Sequence, residues 1–187
     1  MEAAYALLSA FGLAAAAGLN AYIPLLVVAL LARFTDWIQL APPYDALTHP
    51  AILGLLAVLA LVEFLADKIP TVDAANDVLQ TFVRPAAGAI LFGAQTGAIR
   101  ELHPILALAC GLLIAGSVHG GKAMLRRVVQ AAAPPLAPLT TPLLSLGEDL
   151  AALALSLIAI LAAWLILFGF ILVAVIGLRR ARRSALR

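Results

Sequence analysis

Ionisable side chains interrupt two otherwise apolar stretches of the sequence, at spacings that place them on one helix face. Glu63 and Asp67 stand four residues apart and follow twelve residues without a charge. Farther along the chain, His119, Lys122 and Arg126 follow one another at intervals of three and four. Residues three or four apart lie on the same side of an α-helix. The acids could bind or relay a cation or proton, and the bases could balance or select charge.

Further polar residues extend this set. Asn20 lies within Gly18–Pro24, where a glycine and a proline six residues apart predict a kinked or unwound helix. Unwound backbone in transporters exposes carbonyls and amides to cargo. Ionisable groups at membrane depth cost roughly 2.5–3.5 kcal/mol each and usually face a bundle interior or a water-filled cavity. We therefore expect a buried acid–base network that lines an ion or substrate pathway. Its candidate members are Asn20, Glu63, Asp67, Lys68, His119, Lys122, Arg126, Glu148 and Asp149.

A structural role for the same residues stays open at this stage. The charges could fix helix register near the membrane interface, with Lys122 and Arg126 extending to lipid head groups. In either case we expect the acidic face of Glu63 and Asp67 to pair with the basic face of the later helix, since pairing offsets desolvation. Glu148 and Asp149 could join this pairing.

The sequence gives little sign of catalysis. It contains no HExxH, GxSxG, glycine-rich phosphate loop or Cys/His metal spacing. We therefore expect no enzymatic activity, no metal and no cofactor. The three histidines fall on three different predicted elements, and His119 could serve as a proton relay or as an ordinary interface residue.

The composition of the 187 residues places these side chains in a membrane. Hydrophobic residues make up 64% and charged residues 12%, with a mean hydropathy of +1.07. Soluble domains are about 45–50% apolar and roughly 25% charged. This excludes a soluble enzyme and a nucleic-acid-binding domain. The single cysteine, Cys110, allows no internal disulfide, and the lack of basic residues before the first apolar segment argues against a cleaved signal peptide.

About five helices are predicted, forming an all-α, polytopic integral membrane bundle. Residues 3–32 carry no charge and are long enough to overshoot a hydrocarbon core of roughly 30 Å, so the first helix is expected to be broken near Gly18–Pro24. The second helix is expected from 50 to 69, the third from 74 to 99 with a kink at Pro85, and the fourth from Pro104. The segment 131–142 is predicted to be a loop. Ser145 and Glu148 fit a capping box that opens the last helix, which would run to about residue 178.

The basic residues at the carboxyl end predict which side of the membrane that end lies on. Five of the twelve basic residues lie in the last nine positions. We interpret residues 1–178 as one transmembrane domain and 179–187 as a basic cytoplasmic tail in the bacterial inner membrane. Five spans place the amino terminus outside, whereas six would put more of the basic residues inside. Anionic lipid head groups are expected partners of Arg179, Arg180, Arg182 and Arg183.

Two further features concern helix packing. The predicted hairpins on either side of the third helix each contain a glycine-marked helix, a double-proline loop and a helix with paired acids, which suggests an inverted repeat. Small-residue stretches at 14–18 and 111–116 would allow close helix contact, within the subunit or in a homo-oligomer.

The chain resembles the bacterial membrane proteins of domain-of-unknown-function family 4126. The resemblance lies in the runs Gly18–Leu25 and Glu63–Pro70, in His119, Lys122 and Arg126, and in Ser145 with Glu148 and Asp149. It implies a small polytopic helical membrane protein without an assigned substrate. A basic residue often stands in that family at the position of Asn20. If Asn20 replaces a charge, the partner of Glu63 or Asp67 would be missing or would be Lys122.

Taken together, these features favour a small transporter or channel for an ion or small polar solute. The alternative is a non-transporting scaffold or accessory subunit whose charges fix the structure and whose arginine tail binds lipid or a partner protein. A hydrated site at Glu63 would favour transport. A fully paired core would favour the scaffold.

Overall fold

The computed structural model describes residues 2–96, 102–132, 134–136 and 138–161, and every regular element in these ranges is helical. Six α-helices are present there: α1 Glu2–Leu19, α2 Tyr22–Phe34, α3 Pro50–Ala66, α4 Pro70–Thr96, α5 Pro104–Ala132 and α6 Pro138–Leu161. Short 3-10 turns occupy Tyr44–Thr48 and Pro134–Leu136. The predicted all-helical fold is therefore confirmed. The last predicted helix beyond residue 161 and the arginine tail lie outside the described residues.

The first apolar segment is broken where glycine, asparagine and proline predicted it. Helix α1 ends at Leu19 and α2 begins at Tyr22. The side-chain oxygen of Asn20 accepts hydrogen bonds from the backbone N–H groups of Tyr22 and Ile23, both at 3.0 Å. These amides open α2 and have no partner inside the helix. Pro24 fits the first turn because no N–H is required there.

Histidine and proline open α3 and α5 in the same way. At α3, His49 Nδ1 accepts from the backbone N–H of Ala51 at 3.3 Å, and Pro50 takes the first helical position. At α5, His103 Nδ1 accepts from Ile105 N at 3.2 Å ahead of Pro104. Helix α3 ends at Ala66 rather than at residue 69, because Pro70 already opens α4. Proline at the first helical position is well placed, since its missing N–H would have no partner.

Two predicted helix starts are wrong. Helix α4 starts at Pro70, four residues earlier than predicted, and continues through Pro85. Helix α6 starts at Pro138, so Ser145 and Glu148 lie inside it and do not form a capping box. The interpretation of 131–142 as a loop fails for the same reason. A proline opens both helices. The polar residues from which later starts were predicted lie inside the helices.

Close helix contacts occur where small residues meet. A Cβ added to Gly18 of α1 would lie 2.5 Å from the carbonyl oxygen of Ala115 in α5 and 2.6 Å from Val118 Cβ. Gly88 of α4 and Gly111 of α5 likewise face each other's backbone. Helices α1, α4 and α5 thus pack together at the centre, and α2 packs against α3. The small-residue stretches therefore serve packing within the subunit.

Apolar side chains cover much of the outer surface. On α3, five large apolar residues are more than half exposed, whereas Glu63 is 1% exposed. These five are Leu55, Val58, Leu61, Val62 and Leu65. Among the described residues, α5 and α6 are long and apolar enough to cross a membrane, and α1, α2 and α3 are shorter apolar helices. A run of exposed apolar side chains of this extent is not typical of a fold surrounded by water.

Candidate functional site

The first part of the acid–base network centres on Arg84 of α4. Its Nη2 donates to Glu63 Oε1 at 2.9 Å and lies 3.9 Å from Asp67 Oδ2. All three side chains are buried, and Arg84 is fully so. Asp67 Oδ1 also accepts from Asn76 Nδ2 at 2.7 Å. One guanidinium therefore holds both carboxylates that the four-residue spacing placed on one face of α3.

His119 joins the same guanidinium through a bond that fixes its tautomer. Arg84 Nη1 lies 3.1 Å from His119 Nδ1, and His119 Nε2 lies 3.3 Å from Thr81 Oγ1. Arginine can only donate, so Nδ1 must accept and the ring proton of a neutral imidazole sits on Nε2. Thr81 in turn donates to the backbone carbonyl of Asp77 at 2.9 Å. The hydrogen bonds thus run in one direction from Arg84 to Asp77.

The second part of the network joins α5 to α6. Glu148 Oε2 lies 2.9 Å from Lys122 Nζ. The same carboxylate accepts from Arg126 Nε at 2.9 Å and from Arg126 Nη2. Arg126 Nη1 is also 4.0 Å from Asp77 Oδ2, which links this part to α4. Two-point binding of a carboxylate by a planar guanidinium is both strong and orientation-specific.

The helix break forms the third part. Asn20 Nδ2 donates to Asp149 Oδ1 at 2.9 Å, while its oxygen binds the first amides of α2. Lys122 Nζ donates to the carbonyl oxygen of Leu19, the last residue of α1, at 3.2 Å. Lys68 Nζ lies 3.8 Å from Asp149 Oδ2. Residues of α5 and α6 therefore hold both helix ends at the break.

All nine predicted site residues belong to this one connected set. One predicted pairing is wrong, however, because Glu63 and Asp67 bind Arg84 of α4 rather than the basic face of α5. The predicted pairing of Glu148 with that basic face is found, whereas Asp149 contacts Asn20 and Lys68 instead. The geometry shows contact between these residues and does not itself identify a ligand.

Residues on α4 were missed as site members. Neither Arg84 nor Asp77 is among the predicted pathway residues, yet Arg84 is buried and Asp77 is half-buried beside Arg126. Their spacing carried a usable signal. Asp77 precedes Gln80 by three residues and Thr81 by four, and Arg84 follows them by four and three, so all four share one helix face. The segment mixes polar and apolar side chains, and this mixture hid the spacing.

The charges in the described part of the network do not balance. Five carboxylates (Glu63, Asp67, Asp77, Glu148, Asp149) meet four cations (Lys68, Arg84, Lys122, Arg126). Several of its buried polar atoms have no hydrogen-bond partner within the described ranges: Glu63 Oε2, Gln80 Oε1, Arg84 Nε, Ser145 Oγ and Asp149 Oδ2. Buried polar groups are normally satisfied, so such atoms mark positions that favour a proton, water or ligand.

A metal centre has no support in the residues described. Among them, no three His, Cys, Asp or Glu side chains converge as metal ligands would. The four arginines expected to bind lipid head groups lie outside the described residues.

These features define a helical protein with an apolar exterior and a central acid–base network. The chain belongs to the family described as domain of unknown function (DUF4126), whose family model matches residues 7–183. The resemblance drawn from the Gly18–Leu25 and Glu63–Pro70 runs is thereby confirmed. No curated protein and no solved structure matches the chain.

Proposed function

We propose that this protein is a multi-pass integral membrane protein that moves an ion or small polar solute through its acid–base network. The observation that carries the proposal is a connected set of charged side chains, buried at the centre of a helical bundle whose outer face is apolar. Charged groups inside a membrane face the bundle interior and commonly mark ion and substrate pathways.

The exposed surface supports the membrane part of the proposal. The apolar side chains of α3 point outward along its length, and exposed leucines continue on α5 and α6, as at Leu113 and Leu150. A water-facing surface of this size would favour aggregation, whereas lipid solvates it without penalty. We assign the protein to the bacterial inner membrane, with residues 1–178 as its membrane domain and the carboxyl-terminal arginines in the cytoplasm.

The helix break supports the transport part. Broken helices in transporters place free backbone groups beside the cargo at the centre of the membrane. Here the ends of α1 and α2 meet Lys122, Asn20 and Asp149 at one place. The side chains that bind these ends also contact Lys68 and Glu148, so a charge arriving at the break would act on the whole network.

A scaffold role is the second candidate, and two observations favour it. Glu63 is 1% exposed rather than open to a hydrated site. Arg84 and Arg126 each hold several groups from other helices, and such pairing fixes helix positions. In that case the network is structural, and the arginine tail or an apolar surface binds lipid, a partner protein or a second copy of the chain.

Flux through reconstituted liposomes tests the proposal. Purified protein is placed in liposomes that contain a pH-sensitive dye, and proton, sodium and potassium movement is driven by an imposed diffusion potential. Light scattering follows the entry of small polar solutes such as glycerol and urea. We expect at least one probe to cross faster than in protein-free liposomes, and Lys122→Met to slow it.

Arg127→Gln is the matched control, because Arg127 is exposed and lies beside the buried Arg126. Its flux should equal that of the unaltered protein. If folded protein passes none of the probes faster than empty liposomes, the transport proposal is wrong and the scaffold role takes its place.

A further inference from the structure

Two buried acceptor atoms lie beside Arg84 without a donor. Within the described residues, Glu63 Oε2 and Gln80 Oε1 have no hydrogen-bond partner. Each side chain is 1% exposed, so bulk water does not reach either one. Leaving such a group unsatisfied costs about 1–3 kcal/mol, and more when it is charged. Both atoms therefore mark positions where an added donor is favoured.

Glu63 and Gln80 share two neighbours, Arg84 and Tyr22. Arg84 binds Glu63 through Oε1, which leaves Oε2 for another partner. Gln80 lies one helical turn before Arg84, on the same face of α4. Tyr22 of α2 interacts with both Glu63 and Gln80.

The charge of the network identifies what is missing. Glu63 interacts electrostatically with Arg84, Asp67 and Lys122, and with Tyr22 from α2. The neutral His119 adds no positive charge to the four cations. With five carboxylates ionised, the described network carries one excess negative charge in a low-dielectric environment. One added positive charge would balance it.

We propose that Glu63 is a binding site for a single proton. The proton arrives from solvent, bonds to Glu63 Oε2 without breaking another bond, and is donated in a hydrogen bond to Gln80 Oε1. Glu63 Oε1 continues to accept from Arg84, so the ion-pair geometry is kept when the carboxyl group is neutral. This inference rests on the proposed function, for which it names the proton as the transported or coupling ion.

Infrared spectroscopy of the full chain in lipid tests the site directly. A protonated carboxylic acid shows a carbonyl stretch that an ionised carboxylate lacks. We expect this band in the unaltered protein at neutral to mildly acidic pH, shifted on transfer to D₂O. Glu63→Gln should abolish it, while Asp45→Asn, at an exposed position, should leave it unchanged.

A second variant keeps the carboxyl group in place. Gln80→Leu removes the proposed acceptor, so the band should remain and move to higher frequency as its hydrogen bond is lost. The inference is overturned if the unaltered protein shows no such band, or if the band survives Glu63→Gln and disappears in Asp149→Asn.

The outcomes separate this inference from the proposed function. A band that depends on Glu63, in a protein that passes no probe through liposomes, would establish the proton site and contradict transport. Flux of sodium, potassium or a neutral solute without the band would support transport and overturn the proton site.

Discussion

Arg84 is the residue on which the first part of the network depends. It is fully buried and contacts two carboxylates and an imidazole. A buried charge is tolerated when it is paired and hydrogen-bonded, and removing one partner leaves the other charge exposed to a low dielectric. The stability of the bundle should therefore respond more strongly to this residue than to any exposed arginine.

Replacing Arg84 by methionine should destabilise the protein by about 3–5 kcal/mol, because Glu63 and Asp67 would lose their shared cation. The measurement is the unfolding midpoint in detergent. Arg127→Met is the control and should change it little, since Arg127 is exposed. Adding Glu63→Gln and Asp67→Asn to Arg84→Met should recover part of the loss. No recovery would mean that Arg84 acts through packing alone.

Arg84→Lys tests geometry at constant charge. A lysine ammonium is a compact charge and lacks the planar fork with which arginine binds several groups at once. We expect it to keep a contact with Glu63 and lose the bond to His119 Nδ1. Nuclear magnetic resonance of the histidine ring nitrogens would then report a changed tautomer ratio. An unchanged ratio would show that Arg84 does not fix the His119 ring.

The sequence predicted the members of the network better than their pairing. Lys122, Arg126 and Glu148 were placed together because their spacing set one helix face against another. The partner of Glu63 was missed because Arg84 lies on α4, from which no residue was predicted to join the network. Spacing along a helix shows which residues share a face. It does not show which helix that face meets.

At the scale of the helices, the break between α1 and α2 is held by side chains. Asn20 binds amides at the start of α2 and a carboxylate on α6 with its two amide atoms. Both atoms are therefore used, and no other residue type supplies a donor and an acceptor of the same size.

Asn20→Ala should lower the unfolding free energy by about 1 kcal/mol for the lost cap and by a further ~1–3 kcal/mol for the unpaired Asp149. Asn20→Asp should be at least as damaging, since its carboxylate would face that of Asp149. Thermal unfolding in detergent measures both. An aspartate variant as stable as the unaltered protein would contradict this account of the break.

Two glycine-to-alanine substitutions form a matched pair that tests helix packing. Gly18→Ala should destabilise by about 1–3 kcal/mol, because the added Cβ would collide with the Ala115 carbonyl and Val118. Gly54→Ala places a Cβ where nothing lies within 4 Å, and alanine is the better helix former by up to ~1 kcal/mol. The unfolding midpoints should move in opposite directions. Equal shifts would mean that the α1–α5 contact is looser than described.

Helix starts were predictable where proline and histidine stand together. The sequences at His49-Pro50 and His103-Pro104 gave the right positions for α3 and α5. At α6 the Ser145–Glu148 pattern competed with Pro138, and the proline decided the start. A capping box requires unpaired amides, and residues inside a continuing helix have none to offer.

At the scale of the described molecule, large apolar side chains lie exposed on several helices, and charged side chains are buried between them. This was predictable from composition, since 64% hydrophobic residues cannot all be buried in a chain of 187. The number of crossings was not predictable in the same way, because α1 and α2 are each too short to span a membrane alone.

Cysteine labelling tests the lipid-facing surface. In a Cys110→Ala background, single cysteines at Leu61 and Leu113, both exposed apolar positions, should react with a lipid-soluble maleimide and not with a membrane-impermeant one. A cysteine at Asp45, in the segment between α2 and α3, is the control and should react with the impermeant reagent from one side. Reaction of Leu61→Cys with the impermeant reagent would place α3 in water.

The broken first segment also bears on the order of assembly. The last carbonyl of α1 is bound by Lys122 and the Asn20 amide by Asp149, which follow 103 and 129 residues later in the chain. A growing chain is made from its amino end, so α1 and α2 are synthesised well before the residues that hold their junction. During that interval the free Leu19 carbonyl must be hydrated or covered by another protein. The junction between α1 and α2 is therefore completed only after Lys122 and Asp149 have been synthesised.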